Sequence, residues 1–307
     1  MSAAWVAGSV RARALAQRRL GAGATRELAA SASLEVALAA LAATPYGHGV
    51  RSGQPLAETQ RAVAATLLWH LRVLAGWLPQ GGSDMLRLLA GWFEIANVDE
   101  LLHHLAGKTP EEPFRLGALA TAWPRLATAR STVELRERLA AAPWGDPGEA
   151  TARSVQLGMR LSWMAQIGAE LERAAPWAAG AAALLVARER FVAGHDLPAA
   201  ALPRARRLLG PEALAATSLA ELARRLPARA HWALEDVAAP EELWHAEAKW
   251  WSRVERDGFS LLGDAGLGSA PVLGTVAVLA TDAWRVRAAL EIAARGGGPL
   301  EVFDGLG

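Results

Sequence analysis

The sequence of 307 residues predicts an all-α protein. Residue types that favour strands are sparse, since the chain has one tyrosine and five phenylalanines, and no sustained alternation of apolar and polar residues occurs. Apolar residues instead recur every three or four positions over long stretches, which is the period of an amphipathic helix. Hydrophobic residues make up 52% of the chain, which excludes general disorder and indicates a sizeable core.

Four stretches carry the helical period most clearly. They are marked by Leu34, Ala37, Leu38 and Leu41, by Val63, Leu67, Leu71, Leu74 and Leu78, by Met85, Leu88, Leu89, Trp92, Ile95, Leu102 and Leu105, and by Val276, Leu279, Ala283, Val286 and Leu290. We predict that the third is one continuous helix, with Ser83 and Asp84 as candidate N-caps and Gly107 as its stop. The fourth precedes Gly296-Gly297-Gly298, which we expect to form a C-cap and linker.

The sequence also contains an internal repeat. A serine, a leucine eight residues later and a Pro-aromatic-Gly turn recur in the same order at Ser33 to Gly47 and at Ser131 to Gly145. A third, partial copy at Ser218 to Pro227 keeps the helix and loses the turn. In the second and third copies, Ser-x-x-Glu predicts a capping box in which each side chain satisfies the other residue's amide.

This repeat predicts three helical units of roughly 90 to 100 residues, residues 1–112, 113–210 and 211–307, within one continuous structural domain. The alternative is that helices rich in alanine and leucine resemble one another by composition alone. The shared Pro-aromatic-Gly terminator favours duplication. Alanine on the core-facing sides of these helices lets their axes approach closely.

Thirteen tryptophans are expected to supply the bulk that alanine lacks. We assign most of the tryptophans at scattered spacings, such as Trp69, Trp77, Trp92, Trp163 and Trp177, to the core, although a tryptophan-rich face can alternatively be an interaction hot spot. The adjacent pair at 250 and 251 is different, because neighbouring residues point about 100° apart on a helix. One of these two indoles is predicted to meet another helix bundle or a partner.

Motifs of self-contained enzymes are missing. The chain has no phosphate-binding loop and no cysteine, so thiolate metal sites and cysteine nucleophiles are excluded. His103 and His104 diverge around a helix and cannot chelate one metal together. Glu242 and His245 have the spacing found in di-iron bundles, but no second copy accompanies them. We therefore predict no catalytic residue, no metal and no cofactor.

The first 30 residues are basic. Arg11, Arg13, Arg18 and Arg19 lie there, and Glu27 is the first acidic residue. This run suits a nucleic acid, an anionic lipid surface or an acidic protein face, or it is simply a solvated helix face. A net charge of +1 argues against a nucleic-acid binder. No signal peptide or bilayer-spanning segment is recognised, so a soluble, cytoplasmic protein is expected.

Several segments, taken in order, resemble the C/d family of V/A-type (V-type) rotary ATPases, whose members form part of the central stalk. The segments are Trp5 with Val10-Arg11-Ala12-Arg13, residues 43–47, residues 88–102, residues 116–119 and residues 278–287. In the last of these, Asp282 precedes Arg285 and Arg287, which is similar to the acidic residue and paired arginines of the family's C-terminal helix.

The resemblance implies a funnel of three pseudo-symmetric helical units. Such a non-catalytic subunit is a socket that couples the rotating shaft to the membrane proteolipid ring, linking ATP hydrolysis or synthesis to proton or sodium transport. It would lie peripherally on the cytoplasmic face of the cell membrane, with the shaft subunits and the proteolipid ring as partners. The alternative is a soluble all-α scaffold that binds a protein partner through a tryptophan-rich face.

Within this scheme we predict that Arg11, Arg13, Arg285 and Arg287, on the first and last helices, lie near each other and contact the partners. Tyr46 and Asn97 are predicted to be structural, as a turn anchor and as an amide that pairs two helices.

Overall fold

The computed structural model describes residues 3–297, and these residues form α-helices, short 3₁₀ or π turns and loops, with no strand. The predicted all-α class is therefore confirmed. The helices are α1 Ala3–Ala16, α2 Gly21–Ala29, α3 Leu34–Ala42, α4 Leu56–Ala75, α5 Gln80–Leu89, α6 Gly91–Leu105, α7 Trp123–Leu126, α8 Thr132–Ala140, α9 Ala152–Glu170, α10 Ala175–Ala187, α11 Leu202–Leu209, α12 Pro211–Leu214, α13 Leu219–Arg225, α14 Ala228–His231, α15 Leu243–Gly263 and α16 Ser269–Ala294.

The three repeated serines begin α3, α8 and α13. Ser33, Ser131 and Ser218 are extended, and their hydroxyls accept hydrogen bonds from the amides three residues later at 3.3, 3.2 and 3.2 Å. These bonds satisfy amides that a helix start otherwise leaves unpaired, which confirms the serine caps. The glutamate half of the predicted box is displaced, because Glu134 and Glu221 reach past the cap and accept from the amide one residue before it.

The long helix predicted from Met85 to Leu105 is two helices, α5 and α6, which meet at Ala90. The predicted N-caps are wrong, since α5 already begins at Gln80 and the Ser83 hydroxyl donates to the Ala75 carbonyl at 3.0 Å. The predicted stops are confirmed. Gly107 and Gly296 follow their helices with φ of 77° and 87°, a left-handed conformation that favours glycine.

The described chain folds into two compact units. The first comprises residues 3–83 and 251–297, and the second comprises residues 84–250. The division into residues 1–112, 113–210 and 211–307 follows the sequence repeat, and it stays a prediction.

A four-helix module forms the core of the first unit. The long helix α16 packs against α2, α3 and α4, and the buried cluster between them includes Leu38, Leu41 and Tyr46. Asp282 of α16 is 1% exposed and accepts hydrogen bonds from the amides of Leu20 and Gly21, at 2.8 and 2.7 Å, where α2 begins. The tyrosine of the Pro-aromatic-Gly turn donates to the same carboxylate at 2.9 Å.

In the second unit, a buried cluster likewise joins α6, α7, α8 and α9, and a buried acid on its long helix holds a helix start and a turn. Glu94 of α6 is 1% exposed and accepts from the amides of Thr121 and Ala122, at 2.7 and 2.9 Å, where α7 begins. Trp144, the aromatic residue of the second Pro-aromatic-Gly turn, donates to Glu94 at 2.7 Å. A buried acid on a long helix therefore ties one short helix and one turn in both units.

The two acids also share a register with the apolar residues that follow them. Positions +1, +4 and +8 are Ala283, Val286 and Leu290 after Asp282, and Ile95, Val98 and Leu102 after Glu94, and all six lie in the buried clusters. The two acids thus hold a helix start and an aromatic turn through the same kinds of bond. This agreement favours duplication of the module.

The third copy lacks this device. Ser218 caps α13, but the buried acidic residues among residues 3–297 are Glu94 and Asp282, so no third buried acid accompanies it. The short helix α12 begins with Pro211, which has no amide hydrogen to donate, and the Gly210 amide is already bonded to the Arg206 carbonyl at 2.8 Å. The acid and one amide that it would satisfy are therefore absent together.

Two glycines bring α15 and α16 close together. Gly258 of α15 faces Gly274 of α16, where a Cβ atom added to Gly274 would lie 2.6 Å from the Gly258 carbonyl oxygen. Side chains other than hydrogen therefore do not fit this crossing without a backbone shift.

Candidate partner-binding surface

The arginines predicted to contact partners occupy different environments. Arg11 is exposed, and its guanidinium lies 4.5 Å from the ring centre of Trp77 in a cation–π contact. Arg13 is half-buried and donates to the carbonyls of Leu262, Asp264 and Gly266 at 3.3, 2.6 and 3.0 Å. Arg13 thus caps the C-terminal end of α15, where unpaired carbonyls favour a cation.

The two predicted arginines of α16 differ in exposure. Arg285 is 1% exposed and forms a two-bond ion pair with Glu255, including a bond of 2.5 Å from Nη2 to Oε2. Arg287 is exposed, and its carbonyl accepts from Gln60 at 3.4 Å. The helices α1 and α16 pack together as predicted. The guanidiniums of Arg13 and Arg285, however, form hydrogen bonds within the chain.

Tyr46 is buried in the first module, where its hydroxyl bonds to Asp282. Burial, followed by the negative charge of Asp282, raises the pKa of Tyr46 well above its usual value. The hydroxyl therefore stays protonated and acts as a donor.

Asn97 binds a loop and not a second helix, contrary to the prediction. Its side-chain amide donates to the Phe114 carbonyl at 2.9 Å, and its carbonyl accepts from the Phe114 amide at 2.6 Å. Pro110 and Pro113 favour an extended conformation in this loop. Extended backbone has no internal hydrogen bonds, so an amide side chain that both donates and accepts satisfies it.

Three of the tryptophans assigned to the core are exposed. Trp69, Trp77 and Trp92 are 51%, 47% and 45% exposed, so their assignment to the core is wrong. Trp177 is buried as predicted, and Trp163 is half-buried with its indole bonded to the Leu88 carbonyl at 2.7 Å. The physical reason is that Trp69 lies on a different face of α4 from the buried Val63, Leu71 and Leu74, and Trp77 lies in the turn after α4.

Trp250 and Trp251 are both half-buried, and each has a partner within its own unit. The Trp250 indole donates to the Trp177 carbonyl at 2.9 Å in the second unit. Trp251 stacks on Trp284 of α16, with ring centres 5.5 Å apart, in the first unit.

The exposed tryptophans at 69 and 77 line a groove between α1 and α4 with a volume of about 500 Å³. We call it the α1–α4 groove, and its lining residues are Ala7, Val10, Arg11, Ala14, Leu15, Arg18, Trp69, Val73 and Trp77. The two helices run antiparallel along the groove. Arg11 lies over Trp77 at one end, and at the other end the positive charge of Arg18 lies close enough to His70 to lower its pKa. One wall of the groove is thus basic and the other is aromatic.

The electrostatic character of the groove is positive. α1 contains no acidic residue, and α4 contains only Glu58, in its first turn. Among residues 3–297, neither the Arg11 nor the Arg18 guanidinium forms an ion pair, and both side chains are exposed. Burial, followed by the positive charge of Arg18, lowers the pKa of His70 behind the tryptophan wall.

Sequence reasoning included Arg11 and Arg18 in the basic run and missed the tryptophan wall. The signal was available in the spacing of Trp69, Val73 and Trp77, which recur every four residues beside the apolar stripe. A second row of large apolar residues at helical spacing gives a helix two apolar faces, and one core cannot bury both.

Within residues 3–297, no three His, Asp or Glu side chains come together in a way that could hold a metal ion. Glu242, one half of the Glu-x-x-His pair, accepts from the amides of Ala238 and Ala239 at 2.8 and 3.3 Å, so it caps a turn. None of the helices in this part of the chain combines the length and apolar character needed to span a bilayer.

The chain matches no protein-family model, and no curated protein is significantly similar to it.

Proposed function

We propose that the chain is a non-catalytic rotor subunit of a V/A-type rotary ATPase, a socket that couples the rotating shaft to the membrane proteolipid ring. In this role the chain forms and breaks no covalent bond and transmits torque between ATP chemistry and proton or sodium transport. Its partners are the shaft subunits and the proteolipid ring, and its place is peripheral, on the cytoplasmic face of the membrane.

The observation that carries this proposal is the pair of matched buried acids, Asp282 and Glu94, each of which holds a helix start and the aromatic residue of a repeated turn. It agrees with the repeated helical units that the resemblance to the C/d family implies. A torque adaptor also needs a stiff body, and each acid ties a helix, a turn and a second helix start through three hydrogen bonds. The Gly258–Gly274 crossing adds close packing of α15 and α16.

The test is purification of the tagged chain from detergent-solubilised membranes of its own organism. Proteolipid and shaft subunits should co-purify, and deletion of the chain should uncouple ATP hydrolysis from ion transport. Recovery of the tagged chain without any ATPase subunit would refute the proposal.

Charge reversal then locates the contacts. Arg11→Glu and Arg287→Glu change exposed side chains, whereas Arg13 is half-buried and Arg285 is buried. Arg51→Glu is the matched control, since Arg51 is also exposed and belongs to the first unit. The two test variants should weaken co-purification while the control does not.

A second candidate function is an all-α scaffold that binds a protein partner through a tryptophan-rich face. The observation that favours it is the exposure of Trp69 and Trp77, at 51% and 47%, which both line the α1–α4 groove of the first unit. Tryptophans concentrated in this way are typical of interaction hot spots. The scaffold predicts a partner in the soluble fraction and none among ATPase subunits.

A further inference from the structure

We propose that the α1–α4 groove binds an acidic, amphipathic α-helix of a partner protein. The inference is drawn from the groove alone, and it goes beyond the rotor function, which requires no particular occupant there. It commits to an occupant with two properties, a row of apolar side chains and flanking carboxylates.

The dimensions of the groove fit one helix. Its basic wall follows α1 from Ala7 to Leu15, which is about 12 Å, or a little over two turns, at 1.5 Å per residue, and ends at Arg18 in the turn that follows. A partner helix docks over this length through apolar residues at positions i, i+3, i+4 and i+7. The exposed surfaces of Val10, Trp69 and Trp77 provide the apolar contact for such a row.

The positive charges of the groove require a negatively charged partner. Arg11 lies in α1 and Arg18 in the turn just after it, and both side chains line the same groove. Carboxylates about two turns apart on the partner helix place a negative charge near each end of the groove. With no acidic residue on α1, a lysine-rich helix would meet two unpaired arginines and be repelled.

The shape of the site favours a protein helix over an anionic membrane. Trp69 and Trp77 lie on one wall of a groove with the arginines on the other, so the apolar surface is recessed between two helices. A lipid surface is met by apolar side chains that project from one face of an amphipathic helix. A helix partner can place a ridge of side chains into the recess.

The experiment uses the full chain and a designed, fluorescently labelled peptide. The peptide is helical, with leucines at i, i+3, i+4 and i+7 and glutamates seven residues apart beside them. Two further peptides serve as controls, one with lysine in place of each glutamate and one scrambled so that no apolar face forms. Binding is measured by fluorescence anisotropy, and the indole N–H resonances of Trp69 and Trp77, assigned through Trp→Phe variants, report the site.

We expect the glutamate peptide to bind at least about tenfold more tightly than the lysine peptide at low salt, in line with the effect of rim charges on association. It should shift the indole resonances of Trp69 and Trp77. Arg11→Glu combined with Arg18→Glu should abolish the preference for glutamate, and Arg51→Glu should leave it unchanged. These exposed positions let the variants fold, and circular dichroism checks this.

Equal binding of the glutamate and lysine peptides, or binding that leaves both indole resonances unmoved, would overturn the proposal. So would binding of the chain to phosphatidylglycerol vesicles that is lost in the double arginine variant, if the glutamate peptide does not bind. These outcomes are independent of co-purification with ATPase subunits, so the rotor proposal and the groove proposal fail separately.

Discussion

Asp282→Asn is the most informative single substitution, because it removes one charge and changes no volume. The Asp282 carboxylate accepts three hydrogen bonds, two on Oδ2, from Leu20 and Tyr46, and one on Oδ1, from Gly21. In the better orientation of asparagine, the amide oxygen replaces Oδ2 and the NH₂ group faces the Gly21 N–H. Two bonds then lose their charge assistance and the third is lost.

The magnitude follows from these contacts. Hydrogen bonds to charged groups stabilise by about 1.5 to 3 kcal/mol and neutral ones by about 1, so two weakened bonds and one lost bond cost at least about 2.5 kcal/mol together. Opening of the first unit should therefore become at least about 70-fold more frequent, at 1.36 kcal/mol per tenfold. Hydrogen exchange followed by mass spectrometry measures the opening free energy of the unit, and urea unfolding measures the loss of stability.

The prediction also specifies which unit loses amide protection. Asp282→Asn should lower protection of amides in residues 3–83 and 251–297, whereas Glu94→Gln should lower protection in residues 84–250. Asp196→Asn, at an exposed aspartate, is the matched control and should change neither. A loss below about 1 kcal/mol for Asp282→Asn, less than a single ordinary hydrogen bond provides, would contradict the reasoning.

Three further substitutions test other parts of the structure. The folded-state pKa of His70 is lowered, so the unfolded chain takes up the proton first as the pH falls. Stability should therefore fall as the pH drops below about 6.5. His70→Leu should flatten this pH dependence in thermal melts between pH 5 and 7.5. Arg285→Met leaves Glu255 without its buried partner and should destabilise by about 3 to 5 kcal/mol in urea, with Glu255→Leu recovering much of the loss; an unchanged midpoint for Arg285→Met would mean that the pair is not formed in solution. Gly274→Ala places a Cβ atom 2.6 Å from a backbone oxygen and should lower the melting temperature, whereas Gly23→Ala, where the added carbon meets nothing, should raise it or leave it unchanged; equal effects would exclude a tight crossing.

The sequence predicted the helical class, the three serine caps and the glycine stops, because each depends on local chemistry. A serine hydroxyl three residues before an amide, and a glycine that tolerates positive φ, act within one turn. The same local reasoning failed at Ser83, since the stretch from Gln80 can already form a helix and nothing nearby in sequence shows where it begins.

The roles of the charged and aromatic residues depended on distant parts of the chain. Arg13 caps a helix end about 250 residues away in sequence, and Arg285 pairs with Glu255 on another helix. No spacing rule predicts such contacts. Trp69 and Trp77 were assigned to the core because their size favours burial, but burial depends on which helix packs against that side of α4.

The repeat shows the difference between what the sequence determines and what the tertiary structure determines. The sequence by itself determined that the chain is helical and that a serine-capped helix with a Pro-aromatic-Gly turn occurs twice, because these signals lie within 15 residues. Only the tertiary structure decided that the two turns are held by Asp282 and Glu94. The first acid follows its aromatic partner by 236 residues and the second precedes it by 50. A buried carboxylate needs donors brought to it in space, and their distance along the chain is set by the path of the fold.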